Sequence, residues 1–150
     1  IMNGFKPVFV DIDKKTLTID CNDLEKKITN KSKCLIIVHP WGYPCNMEEL
    51  VKVVKKNNLK LIEDCSHAHG ALYDKKKVGS FADISCFSLQ GNKSVAAGEG
   101  GIAVTNDKEL AYQLSRFQIY DRFDQVEEVA CNFRISELQA LFSFAVCKLF

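Results

Sequence analysis

Residues 59–67 read Leu59-Lys60-Leu61-Ile62-Glu63-Asp64-Cys65-Ser66-His67. A short apolar run ends abruptly on acids, a thiol, a hydroxyl and an imidazole. Asn57-Asn58 bounds it upstream, so the run at 59–63 has the length of a strand. Residues 34–39, 83–89 and 100–105 read as further strands. The run at 34–39 is continuously apolar, as expected of a strand buried on both faces of a parallel sheet.

Working outward, helical patterns fill the gaps. Asn46 with Glu49 is close to a capping box, and Met47, Leu50, Val51 and Val54 follow at helical spacing. Residues 20–29 predict a helix with Leu24 and Ile28 on one face. Asp107 caps a helix carrying Leu110, Leu114 and Phe117. Ser136 caps a last one, with Leu138, Leu141, Phe142 and Ala145 predicted to point inward. Residues 6–11 read as a short strand, and Pro40-Trp41-Gly42-Tyr43-Pro44 as a loop. Alternating strands and helices imply an α/β fold, a three-layer arrangement around a mainly parallel sheet.

Composition narrows the class. Apolar residues make up 47% of the 150, enough for a sizeable core. The net charge is +1, which gives no footing for nucleic acid or an anionic membrane. The grouped lysines Lys26-Lys27, Lys55-Lys56 and Lys75-Lys76-Lys77 read as solvated faces. The 7 cysteines are odd in number and none forms a CxxC pair. That argues against a disulfide framework and a zinc site, and favours a reducing, cytoplasmic setting. No apolar run has the length of a membrane span. A strand pattern begins almost at residue 1 and a helical pattern runs on to Phe150 without a stop signal. The sequence therefore reads as an internal piece of a longer protein.

In open α/β sheets, ligands gather beyond the carboxyl ends of the strands. Three of those ends are chemically loaded: His39, then Glu63 to His67, then Ser88-Leu89-Gln90-Gly91-Asn92-Lys93. Taken singly, Asp64 reads as a helix cap or turn residue, Lys93 as a surface lysine beside a glycine turn, and His67 as a turn imidazole. Trp41 reads as a pocket wall or as loop packing. Together the segments offer a nucleophilic amine, a carboxylate and a hydroxyl from neighbouring strand ends. Pyridoxal phosphate needs those three groups: an amine for its aldehyde, an acid for its ring nitrogen, and donors for its phosphate. A nucleotide-binding reading would need a glycine-rich turn between the first strand and a helix. Gly98-Glu99-Gly100-Gly101 precedes a strand instead.

Several runs resemble one family. Ile62-Glu63-Asp64-Cys65-Ser66-His67-Ala68-His69-Gly70-Ala71, Val78-Gly79-Ser80-Phe81-Ala82-Asp83 and Cys86-Phe87-Ser88-Leu89-Gln90-Gly91-Asn92-Lys93 look like motifs of the DegT/DnrJ/StrS sugar aminotransferases. Gly98-Glu99-Gly100-Gly101, Thr105-Asn106-Asp107 and Asn132-Phe133-Arg134-Ile135-Ser136-Glu137-Leu138-Gln139-Ala140 continue the match in order. So does the opening run from Gly4 to Asp13.

The resemblance implies an aspartate-aminotransferase-like fold (fold type I), with residues 1–150 forming an incomplete large, cofactor-binding domain and the small C-terminal domain lying outside them. It implies a homodimer using pyridoxal 5'-phosphate to move an amino group, with glutamate as the usual donor, to a keto-sugar, sugar nucleotide or similar polyol ketone. Lys93 would hold the cofactor as a Schiff base and shuttle the proton. Asp64 would face the ring nitrogen, Ser88 the phosphate, and His67 the 3′ oxygen, where many members carry Gln. Asn132 would reach the neighbouring subunit's cofactor phosphate, although Ala130-Cys131 stands before it where the family usually has Gly and an aromatic. Relatives with histidine in place of this lysine are sugar dehydratases, and Lys93 argues against that branch. An inactive fragment or regulatory relative of the same fold is the remaining alternative.

Overall fold

The computed structural model describes residues 4–118 and 132–148. Its main sheet has the strand order β1-β2-β5-β6. β1 (Cys34–Val38), β2 (Lys60–Asp64) and β5 (Ile84–Ser88) run parallel, with Ile36 opposite Ile62 and Ile62 opposite Ile84. β6 (Gly101–Val104) returns antiparallel to β5.

Helix α2 (Met47–Lys56) makes the crossover from β1 to β2. The Asn46 side chain accepts the Glu49 N–H at 3.3 Å, and Glu48 and Glu49 complement the positive end of the helix. Asn57 caps the other end, and Asn58 at φ +50 turns the chain into β2. Met47, Leu50, Val53 and Val54 face Leu35, Ile37 and Leu61 of the sheet, joined by Cys21 and Leu24 of α1 (Cys21–Lys27). Each such side chain contributes about 1.5–3 kcal/mol by leaving water, so this layer fixes the sheet that carries the site.

The link from β2 to β5 contains no helix. It holds a hairpin of β3 (Leu72–Tyr73) and β4 (Lys76–Lys77). Asp74 and Lys75 turn it at φ +46 and +64, the left-handed pair that suits the strand twist. Lys75, Lys76 and Lys77 are exposed, as a solvated lysine group should be.

Three expectations need correction. Residues 6–11 form no ladder, because Pro7 has no N–H to give and no strand lies beside them among the described residues. The nearest pairing is a lone bridge between Ile12 and Ile19. β1 is not buried on both faces: Leu35 and Ile37 are buried, but Ile36 and Val38 are 62% and 49% exposed. The two helices α1 and α2 cover one face only. In α4 (Glu137–Cys147), Leu138, Leu141, Phe142 and Ala145 are exposed, whereas Val146 packs on Leu89, Val95 and Ala97. That helix is apolar on several sides, so spacing alone could not choose its inward face. The Ser136 cap forms as expected, with a reciprocal bond to Gln139. α3 (Lys108–Gln118) follows its Asp107 cap, with Leu110 and Leu114 half-buried and Phe117 exposed. Ala130 and Cys131 lie outside the described residues.

Candidate active site

Asp64 is the last residue of β2 and Ser88 the last of β5. The two strands are adjacent and parallel with Asp64 opposite Cys86, so both residues stand at one edge of the sheet. Beyond Ser88 the chain folds back on itself. The Lys93 N–H donates to the Gln90 carbonyl at 2.9 Å, Gly91 to Gly98 at 2.8 Å, and Ala97 to Leu89 at 2.7 Å. Leu89, Val95 and Ala97 are buried beneath this turn and hold Lys93 partly buried at its surface. The Ser88 hydroxyl accepts the Gln90 N–H at 3.3 Å.

Beyond Asp64, a carboxylate oxygen takes the Ser66 N–H at 2.9 Å. Cys65 and Ala68 point into a small apolar cluster with Val78, leaving His67 exposed. The loop after β1 leans on the same turn, since a side chain at Gly42 (φ +82) would meet the His67 carbonyl at 3.3 Å. Trp41 in that loop is 79% exposed, so it does not serve the core.

His69 ties the two turns together. Its ring packs against Phe87 at 5.5 Å, and both ring nitrogens are buried without a hydrogen-bond partner among the described residues. Burial holds its pKa below the usual imidazole value. The Ser88 backbone opposes that shift without making a well-formed bond, and electrostatic interaction with Lys93 and His67 reinforces it. Asp64 and Ser88 thus share one sheet edge, with His67 and Lys93 on the turns that follow them. Asn132 is exposed and makes no hydrogen bond to them among the described residues.

Beneath this edge lies a network whose role the sequence did not disclose. The side chains of Glu63 and His39 have no exposure at all, and His39 Nε2 stands 3.0 Å from Glu63 Oε2. Cys45 N–H donates to His39 Nδ1 at 3.0 Å. Nδ1 must then hold a lone pair, so the proton sits on Nε2 and points at the carboxylate. Glu63 Oε2 also takes the Gly79 N–H at 2.7 Å, and Oε1 takes the N–H groups of Phe81 and Ala82 at 2.8 and 2.9 Å and the Ser85 hydroxyl at 3.3 Å. Burial pushes the Glu63 carboxyl up. The His39 ring and the backbone donors outweigh it and hold the group below the ordinary carboxylate value. His39, Glu63 and Cys65 have ligand atoms within 4.8 Å of one another, a spacing that could suit a cation. Yet both His39 nitrogens and both Glu63 oxygens are already engaged, and a cation would strip the backbone N–H groups of their acceptor. One signal was available: Glu63 stands in a strand between Leu61 and Cys65, on the phase that faces the helices, and a carboxylate there needs a partner.

The donor set fits pyridoxal phosphate: a lysine amine, a carboxylate, a hydroxyl beside backbone N–H groups, and two unpartnered imidazole nitrogens alongside. The fold is that of the type I pyridoxal-phosphate transferases. The Helicobacter pylori aminotransferase PseC, involved in the biosynthesis of pseudaminic acid, superposes with a TM-score of 0.92 at 35% identity, over 98% of this chain and 41% of PseC. Within that class, the chain belongs to the DegT/DnrJ/EryC1/StrS aminotransferase family, which it matches over residues 1–147. The family works with pyridoxal phosphate. GDP-perosamine synthase of Escherichia coli O157:H7 is 51% identical over 107 residues, covering 71% of this chain and 29% of the synthase. The dTDP-3-amino-3,6-dideoxy-alpha-D-galactopyranose transaminase of Aneurinibacillus thermoaerophilus is 43% identical over 92% of this chain and 39% of its own length. The chain thus spans well under half the length of these relatives.

Proposed function

We propose that the protein carrying this chain is a pyridoxal-phosphate-dependent aminotransferase that moves an amino group from an amino acid, glutamate by family resemblance, to a keto-sugar or sugar nucleotide. The observation that carries the reading is the pairing of two strand ends: Asp64 closing β2, and Ser88 closing β5 with Lys93 five residues on. The sugar nucleotides in the names of the relatives support that substrate class.

Each residue has one task in this reading. The Lys93 amine holds the cofactor and later carries the proton. Asp64 presents its carboxylate to the ring nitrogen and keeps it protonated. The bound cofactor supplies the electron sink that lets a Cα–H bond ionise. Ser88 and the turn after it bind phosphate, and His67 donates toward the ring oxygen. Asn132 reaches a second subunit's cofactor, so the active form is a homodimer. Residues 1–150 form part of the large domain, and the protein works in the cytoplasm.

The test is covalent trapping. The full-length protein is incubated with pyridoxal phosphate, reduced with borohydride and digested. Mass spectrometry is expected to find the pyridoxyl group on Lys93, and none on Lys93→Ala. Loading elsewhere, or no loading, would remove this reading.

A further inference from the structure

We infer that the buried His39–Glu63 pair is a positioning device for Asp64. The inference rests on the role given to Asp64 above. His39 is bonded at both ends. Its ring donates to the Glu63 carboxylate, and its backbone N–H donates to the Asp64 carbonyl at 3.1 Å. Since Glu63 and Asp64 are consecutive, these bonds close a ring: carboxylate, imidazole, backbone of residue 39, carbonyl of residue 64. On the opposite side, the Cys65 N–H donates to the Cys86 carbonyl at 2.8 Å. The peptide groups around Asp64 are therefore fastened to both neighbouring strands.

The network also reaches forward. Through Gly79, Phe81 and Ala82, Glu63 holds the segment that enters β5, the strand that ends on Ser88. Gly79 is held close: its φ is +85, and a Cβ there would stand 2.5 Å from the Phe87 ring. One buried carboxylate thus fixes the strand end bearing Asp64 against the segment that enters β5. Among the described residues, Asp64 has one carboxylate oxygen engaged, by the Ser66 N–H. Its second oxygen is left for a ligand, with a backbone that cannot drift. Misplacement of a binding group by about 1 Å can cost on the order of a hundredfold, so this rigidity has a functional consequence.

Glu63 and His39 touch no reacting atom, and an ordinary structural role would move stability alone. A double-mutant cycle separates the two. In the full-length protein, pyridoxal-phosphate affinity is measured by titrating the apo form of wild type, Glu63→Gln, Asp64→Asn and the double variant. Thermal melts follow the folded fraction. Glu63→Gln is expected to weaken binding about ten- to a hundredfold while folded. Asp64→Asn should weaken it further, and the double variant should be no weaker than Asp64→Asn. The pH midpoint of the bound cofactor's absorption band should move in the same direction in both single variants. An undiminished Glu63→Gln penalty on the Asp64→Asn background would overturn the inference, as would wild-type affinity in Glu63→Gln. If Glu63→Gln does not fold, the cycle runs with His39→Asn, which shortens the link but leaves the carboxylate its backbone donors, and the same two results decide. Wild-type affinity in Asp64→Asn would instead sink the role of Asp64, and this inference with it.

Discussion

The Glu63 side chain is fully buried, so its ionised form depends on the five donors around it. A carboxyl whose folded pKa is depressed adds stability above its unfolded value, near 4.5, and loses it as pH falls through the folded value. Melts from pH 7 down to pH 3 should therefore show the gap between wild type and Glu63→Gln narrowing below about pH 4.5. A gap that stays constant would mean that Glu63 is not ionised in the native state. The cysteines make a second prediction. Burial pushes the Cys21 and Cys65 thiols up to about 12 and Cys45 to about 11, so almost no thiolate exists at pH 8. Iodoacetamide should spare these three in the native protein and label them in urea, as peptide mapping would reveal. Lys93 and Ser88 were legible as candidates from residue type and spacing. The partnership of His39 and Glu63 was not, because nothing in the sequence pairs residues 24 positions apart.

At the scale of elements, α2 and the turn before β5 make the strongest claims. Leu50 is wholly buried between α2 and the sheet. Leu50→Ala should cost about 2–5 kcal/mol, readable as a lower denaturant midpoint with the cofactor site otherwise intact. At Gly79, left-handed backbone adds about 1–2 kcal/mol for any side chain, and the clash with Phe87 adds to it. Gly79→Ala should therefore lower the melting temperature and also weaken cofactor binding, since Gly79 N–H is one of the Glu63 donors. Loss of stability with unchanged binding would separate this turn from the site. Helix starts were readable here because Asn46, Asp107 and Ser136 cap by local chemistry. The inward face of α4 was not, since its Leu and Phe residues crowd several sides.

Over the whole molecule, apolar surface is left open on one side of the sheet and along α4. Ile36, Leu138, Leu141 and Phe144 are each at least 60% exposed. Parallel sheets are covered on both faces in stable proteins, and patches of this kind drive association. Residues 1–150 expressed alone should therefore bind a hydrophobic dye and elute as concentration-dependent oligomers, whereas the full-length protein should not. A monomeric, cooperatively melting 150-residue product would contradict this.

The sequence by itself determined the α/β class, the parallel run of strands, the helix caps and the candidate residues at the strand ends. These follow from local periodicity, capping chemistry and residue type, all of which act within a few positions. Only the tertiary structure decided that Asp64 and Ser88 share one sheet edge, that one face of β1 stays open, and that His39 closes on Glu63. Those facts depend on strand order and register, which bring distant residues into contact through packing that no short window of sequence contains.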